Sequence, residues 1–152
     1  MRQNLIKLHA ASATIALLLI STFFLSSLVS EIIGDKALII TVKTYIFYAI
    51  WILLPTMAIA GITGNKLAPN AKSGVIGMKK KRMPFIAANG VLILIPAAIF
   101  LKNTAVSGTL DTTFYTVQII ELFAGFINIS LMTLNLKDGL SLSKNRKAKL
   151  KK

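Results

Sequence analysis

Four apolar runs, each close to the length that crosses the hydrocarbon core of a bilayer, constrain this chain more than any motif in it. They cover about 10–33, 37–60, 85–101 and 113–136. Each is too long for a strand, and lipid offers no water to an open sheet edge, so each is expected to be a helix. Little else is left of the 152 residues, of which 55% are hydrophobic and 15% charged, with a mean hydropathy of +0.70. A soluble domain carries more charge, about 25%. The expected fold is an all-α integral membrane protein, one domain over 1–152, built as an antiparallel bundle of four transmembrane helices.

The first run also has the elements of a secretory signal: Arg2 and Lys7 in front, an apolar stretch, and small residues before Glu31. The apolar part exceeds the roughly 7–15 residues of a signal's core, so an uncleaved anchor is expected. Cleavage near Ser30 would instead leave three spans.

Charge is distributed very unevenly between the connections. The stretch IIGDKA carries only Asp35 and Lys36, and KNTAVSGTLD only Lys102 and Asp111. The connection 61–84 carries Lys66, Lys72, Lys79, Lys80, Lys81 and Arg82, and the tail 137–152 carries Lys137, Lys144, Arg146, Lys147, Lys149, Lys151 and Lys152. The positive-inside bias places this loop, the tail and the N-terminus in the cytoplasm. The net charge of +13 is thereby explained by topology and by anionic headgroups, with Lys79, Lys80, Lys81 and Arg82 as headgroup contacts, and no nucleic acid is implied. GITGN and APN are expected to end the second helix at Gly61 and leave irregular chain after it, with Gly74 and Gly77 weakening any short helix there. Pro55 and Pro96 each free a carbonyl four residues back, and a kink is expected at both. The two hairpins share no repeat, which gives an inverted-repeat transporter no support.

Polar residues inside the spans hold what functional information there is. Gln118, Glu121, Gly125, Asn128, Met132 and Asn135 recur at steps of three and four, which places them on one stripe that lipid cannot face. Glu121 is expected to point into the bundle, within reach of Lys43 or a tyrosine, of which Tyr45, Tyr48 and Tyr115 stand near that level. The competing reading has Lys43 snorkelling to the surface and Glu121 held neutral by Gln118 or a tyrosine. Asn89 joins Asn128 and Asn135 nearer the cytoplasmic end. His9, the only histidine, could share that level with Met57, Met83 and Met132, and a His–Met pair is one way to hold b-type haem. Packing and headgroup contact explain the same residues without a cofactor.

Several chemistries are excluded outright. With no cysteine there are no thiolate metal sites, and one histidine cannot build a multi-histidine zinc centre. No phosphate loop or dinucleotide fingerprint is present. The serines of STFFLSSLVS have no histidine at their level to activate them, so helix packing is their expected role. The runs KKKRMPFIAANGVLILIPAAIF and FYTVQIIELFAGFINISLMTLNLKDG resemble small multi-pass proteins of the bacterial inner membrane, and that likeness implies no activity. The expectation is a binding or accessory protein, with no catalytic residue of its own, whose buried polar clusters hold a ligand or partner helices, alone or as a homo-oligomer or part of a larger membrane complex. The alternatives are a haem or quinone redox protein using His9 and an oligomeric proton-coupled transporter using Glu121.

Overall fold

The computed structural model describes the backbone of residues 2–149, and their side chains except at 145–147 and 149. Residues 150–152 of the basic tail, with Lys151 and Lys152, lie outside the described residues. The helices are α1 (Arg2–Ile33), α2 (Lys36–Leu67), α3 (Gly74–Asn89), α4 (Ile95–Val106) and α5 (Thr112–Lys149), with a π-helical turn, Gly90–Leu94, joining α3 to α4 in one rod. Among the described residues this makes four rods, each long and apolar enough by length and composition to cross a membrane.

The rods form an antiparallel ring. α1 packs on α2 and α5, and the α3–α4 rod closes the ring between α2 and α5. Two tight turns mark one end of the bundle, here the short-turn end. At the first, Gly34 adopts φ +72° and the Asp35 carboxylate accepts from Leu38 N at 3.0 Å, capping α2. At the second, Gly108 takes φ +76° and the Asp111 carboxylate accepts from Phe114 N at 2.9 Å. The 68–73 loop and both ends of the described chain lie at the other, basic end.

The inward face of α2 runs Ile39, Lys43, Ile46, Ile50, Leu53 and Ala60, at the alternating steps of four and three (and then seven) that keep one seam toward neighbouring helices. Its partner seam on α1 is small, with Ser12, Ala16, Ile20, Ser27 and Ser30 buried, which lets the two backbones approach. One core layer joins Ile39, Leu101, Ala105 and Phe114 near the short-turn end, and another joins Ile46, Ile50 and Ala98. Leu18, Trp51, Ile52, Leu92 and Phe123 face outward.

Three expectations about the elements need correction. The second helix does not stop at Gly61 but continues to Leu67, and Pro69 follows its C-cap Ala68. Gly61 and Gly64 serve close packing instead: a Cβ on Gly61 would stand 3.9 Å from the Met83 methyl, and one on Gly64 3.0 Å from the His9 ring. The irregular loop expected over 61–84 is therefore confined to 68–73. Gly74 and Gly77 do not weaken the helix they begin. Gly74 enters it at φ +68°, and a Cβ on Gly77 would lie 2.7 Å from the Lys72 carbonyl carbon, so only glycine lets the first turn of α3 sit on the loop. Finally, the tail expected after 136 continues α5 as helix to Lys149.

The prolines meet different fates. α2 runs unbroken past Pro55 and α3 past Pro84. Ahead of Pro96 the chain widens into the π turn, where Ile95 N donates to Gly90 O, five residues back.

Candidate functional site

The polar residues of the interior fall into three groups at successive depths. The outermost is built around Lys43, which is 1% exposed. Its Nζ donates to Glu121 Oε2 at 2.7 Å and to Ser27 Oγ at 2.8 Å, so α1, α2 and α5 are tied at one point. Lys43 lies about 10 Å and Glu121 about 13 Å along their helices from the short-turn end, which puts the two charges at matching depth. Taking each ion out of water costs several kcal/mol, which the ammonium–carboxylate contact and the serine hydroxyl offset. Ser30, also buried, donates to Ser27 O at 2.9 Å and braces that hydroxyl's helix turn.

Gln118, 2% exposed, lies one turn from Glu121 toward the same end. Its amide N and O are buried and make no hydrogen bond among the described residues, and the same holds for both carboxylate oxygens of Glu31. Tyr48 does not belong here: it is 62% exposed, on the opposite side of α2 from its neighbours Ile46 and Ile50. A two-residue step turns a helix by about 200°, so a tyrosine between two seam residues must face away. Tyr45 and Tyr115 are exposed as well.

The middle group joins the α3–α4 rod to α5. Asn89 Nδ2 donates to Ala124 O at 2.8 Å and to Asn128 Oδ1 at 2.9 Å, and Asn128 Nδ2 donates to Ile86 O at 3.3 Å. Both amides, Asn128 buried and Asn89 half-buried, thereby reach backbone carbonyls as well as each other, as a low-dielectric interior requires. At the basic end, Arg82 donates to Asp138 Oδ2 at 2.6 Å and to Asn135 Oδ1 at 3.1 Å. Lys80 donates to the loop carbonyls of Ala68 and Pro69, and Lys79 Nζ stands 3.0 Å from the position a Cβ would take on Gly139. Of the four cations expected at headgroups, Lys81 is exposed, while Lys79, Lys80 and Arg82 are half-buried in contacts within the chain.

His9 and the methionines are distributed differently. His9 Nδ1 donates to Ala60 O at 2.9 Å and meets Thr63 Oγ1 at 3.2 Å, with its ring against Gly64 in the α1–α2 seam. Met57 and Met83 line a central cavity that neither His9 nor Met132 lines.

That cavity, about 460 Å³, runs between all four rods. Its walls are apolar, led by Phe23, Phe24, Ile50, Leu54, Leu94 and Leu122. Its polar lining residues are Ser27, Glu121 and Asn128, each with a hydrogen bond within the protein. Chemically, such a space accepts an apolar guest.

Glu31 and Asp138 are not among the site residues expected from the sequence. Both carried a signal: Ser12, Ala16, Ile20, Ser27 and Glu31 follow one another at four, four, seven and four residues, a single helical stripe, and Asp138 lies three residues past Asn135 on the stripe of α5. No family model, no curated protein and no solved structure matches the chain.

Proposed function

We propose that the chain is a single-domain, multi-pass protein of the bacterial inner membrane that binds an elongated apolar ligand, an acyl or isoprenoid chain, inside its bundle. The observation that carries this reading is the 460 Å³ cavity, whose size falls within the roughly 300–1,000 Å³ of ligand sites and whose walls are almost wholly apolar. A guest there gains by apolar contact with a wall whose polar residues are few. The orientation follows the charges: the basic loop and tail lie in the cytoplasm, and the near-neutral turns with Asp35, Lys36, Lys102 and Asp111 lie outside. Of the four cations at 79–82, Lys81 is the exposed one and is proposed to meet anionic headgroups. The pairing of Glu121 with Lys43 removes the main support for Glu121 as a free proton carrier.

The test is native mass spectrometry of protein released from membranes with brief detergent exposure. Wild type retains a bound apolar molecule whose mass identifies its class. Gly61→Leu and Gly90→Leu, which place side chains against Met83 and against Met57 and Asn128, lower that occupancy several-fold. Equal occupancy in wild type and both variants would overturn the proposal.

A further inference from the structure

The register of α1 against α5 brings Glu31 and Gln118 to one level of the bundle. Phe24 packs on both Gly125 and Phe126, and the helices are antiparallel. Seven residues, two helical turns, lead from Phe24 to Glu31, and the same seven lead back from Gly125 to Gln118. Both side chains therefore come to one level of the same seam. There the two carboxylate oxygens of Glu31 and both polar atoms of the Gln118 amide are buried, and none has a hydrogen-bond partner among the described residues.

The charges around this level do not balance. Lys43 of α2 and Glu121 of α5 both lie close enough to act on the Glu31 carboxylate, and Asp35 and Lys36 belong to the exposed turn beyond it. Lys43 is committed to Glu121 and Ser27. Two carboxylates against one ammonium leave a formal charge of −1 at this level, with the Glu31 oxygens shielded from solvent although the residue as a whole is half-buried. The unpaired buried amide of Gln118 is a second polar group there without a partner among the described residues.

We propose that Glu31 and Gln118 form a binding site for one monovalent cation, an alkali metal ion or a proton, entered from the short-turn end. The donor set suits such a guest: two hard carboxylate oxygens and an amide oxygen. A single positive charge neutralises the group, whereas a divalent ion would overshoot it. In the proton form Glu31 becomes a carboxylic acid whose O–H donates to Gln118 Oε1. The site is separate from the ligand cavity, which neither residue lines.

Two measurements on the purified full-length protein distinguish the two forms. The first is thermal unfolding at fixed ionic strength in sodium, potassium or choline chloride. The second is infrared spectroscopy with isotope-labelled glutamate, which reads only Glu31 and Glu121, the two glutamates of the chain, in wild type. For an alkali ion, sodium or potassium raises the melting temperature over choline, Glu31→Gln abolishes the difference, and Gln118→Leu weakens the apparent affinity about tenfold to a hundredfold. For a proton, the three salts act alike at neutral pH. Labelled wild type then shows a protonated-carboxyl band, which Glu31→Gln removes and Gln118→Leu shifts. Salt-independent melting together with fully ionised glutamates in wild type would overturn the proposal, and that result needs no variant to fold. A salt effect or carboxyl band unchanged in Glu31→Gln would overturn it equally, whatever the cavity retains.

Discussion

The Lys43–Glu121 pair is the interaction whose loss the bundle should feel most, because each charge is buried and depends on the other. Replacing Lys43 by Met strands a carboxylate, and replacing Glu121 by Leu strands an ammonium whose other contact is Ser27. Each single change is expected to cost about 3–5 kcal/mol, while the double replacement restores most of the loss, since an apolar pair carries no desolvation penalty. Unfolding of the four proteins in detergent measures the coupling. Additive losses would mean that the 2.7 Å contact contributes nothing to stability beyond its separate parts. Ser27 belongs to the same unit, because its hydroxyl accepts from Lys43 while its carbonyl accepts from Ser30.

At the scale of an element, the start of the third rod is the most demanding piece of chain. Ser73 precedes α3 without a side-chain cap, Gly77 N reaches back to Ser73 O at 3.2 Å, and Lys80 holds the carbonyls of Ala68 and Pro69. A methyl on Gly77 would meet the Lys72 carbonyl group at 2.7–2.8 Å, and that obstacle is backbone rather than a flexible side-chain end. Gly77→Ala is therefore expected to destabilise by about 1–3 kcal/mol despite the better helix propensity of alanine. Thermal unfolding beside Gly139→Ala provides the comparison, because the atom facing Gly139 is the movable tip of Lys79. Equal melting temperatures for the two variants would show that the loop yields as easily as the lysine.

For the whole molecule, the arrangement of rods and the charge distribution make one joint prediction. Cysteine is absent from the chain, so single cysteines introduced at Ser107 and Lys81 report from opposite ends of the third rod without background. In intact cells stripped of the outer membrane, an impermeant thiol reagent should label Ser107→Cys directly. Lys81→Cys should react only after permeabilisation. The reverse pattern would invert the bundle, and labelling of both from one side would defeat the spanning arrangement of that rod.

The sequence by itself determined the all-α class and the four long apolar rods, because length and apolar content are local quantities that a single segment displays. It also determined the polar stripe of α5, since helical periodicity orders Gln118, Glu121 and Asn128 on one side without reference to any neighbour. Tertiary structure alone decided what that stripe meets. Tyr48 and Lys43 are five residues apart on one helix, and only the rotation of α2 in the bundle turns the lysine inward and the tyrosine out. The helix ends were likewise undecided locally: glycines at 61, 64 and 77 read as breakers until a methionine, a histidine and a loop backbone are packed against them. Lys79, Lys80 and Arg82 read as headgroup contacts because their neighbours within the chain, Gly139, the carbonyls of Ala68 and Pro69, and Asp138, are set by how α3 lies against α5 and the loop. The joint position of Glu31 and Gln118 has the same origin, a register between two rods 87 residues apart in sequence, which periodicity within either helix does not contain.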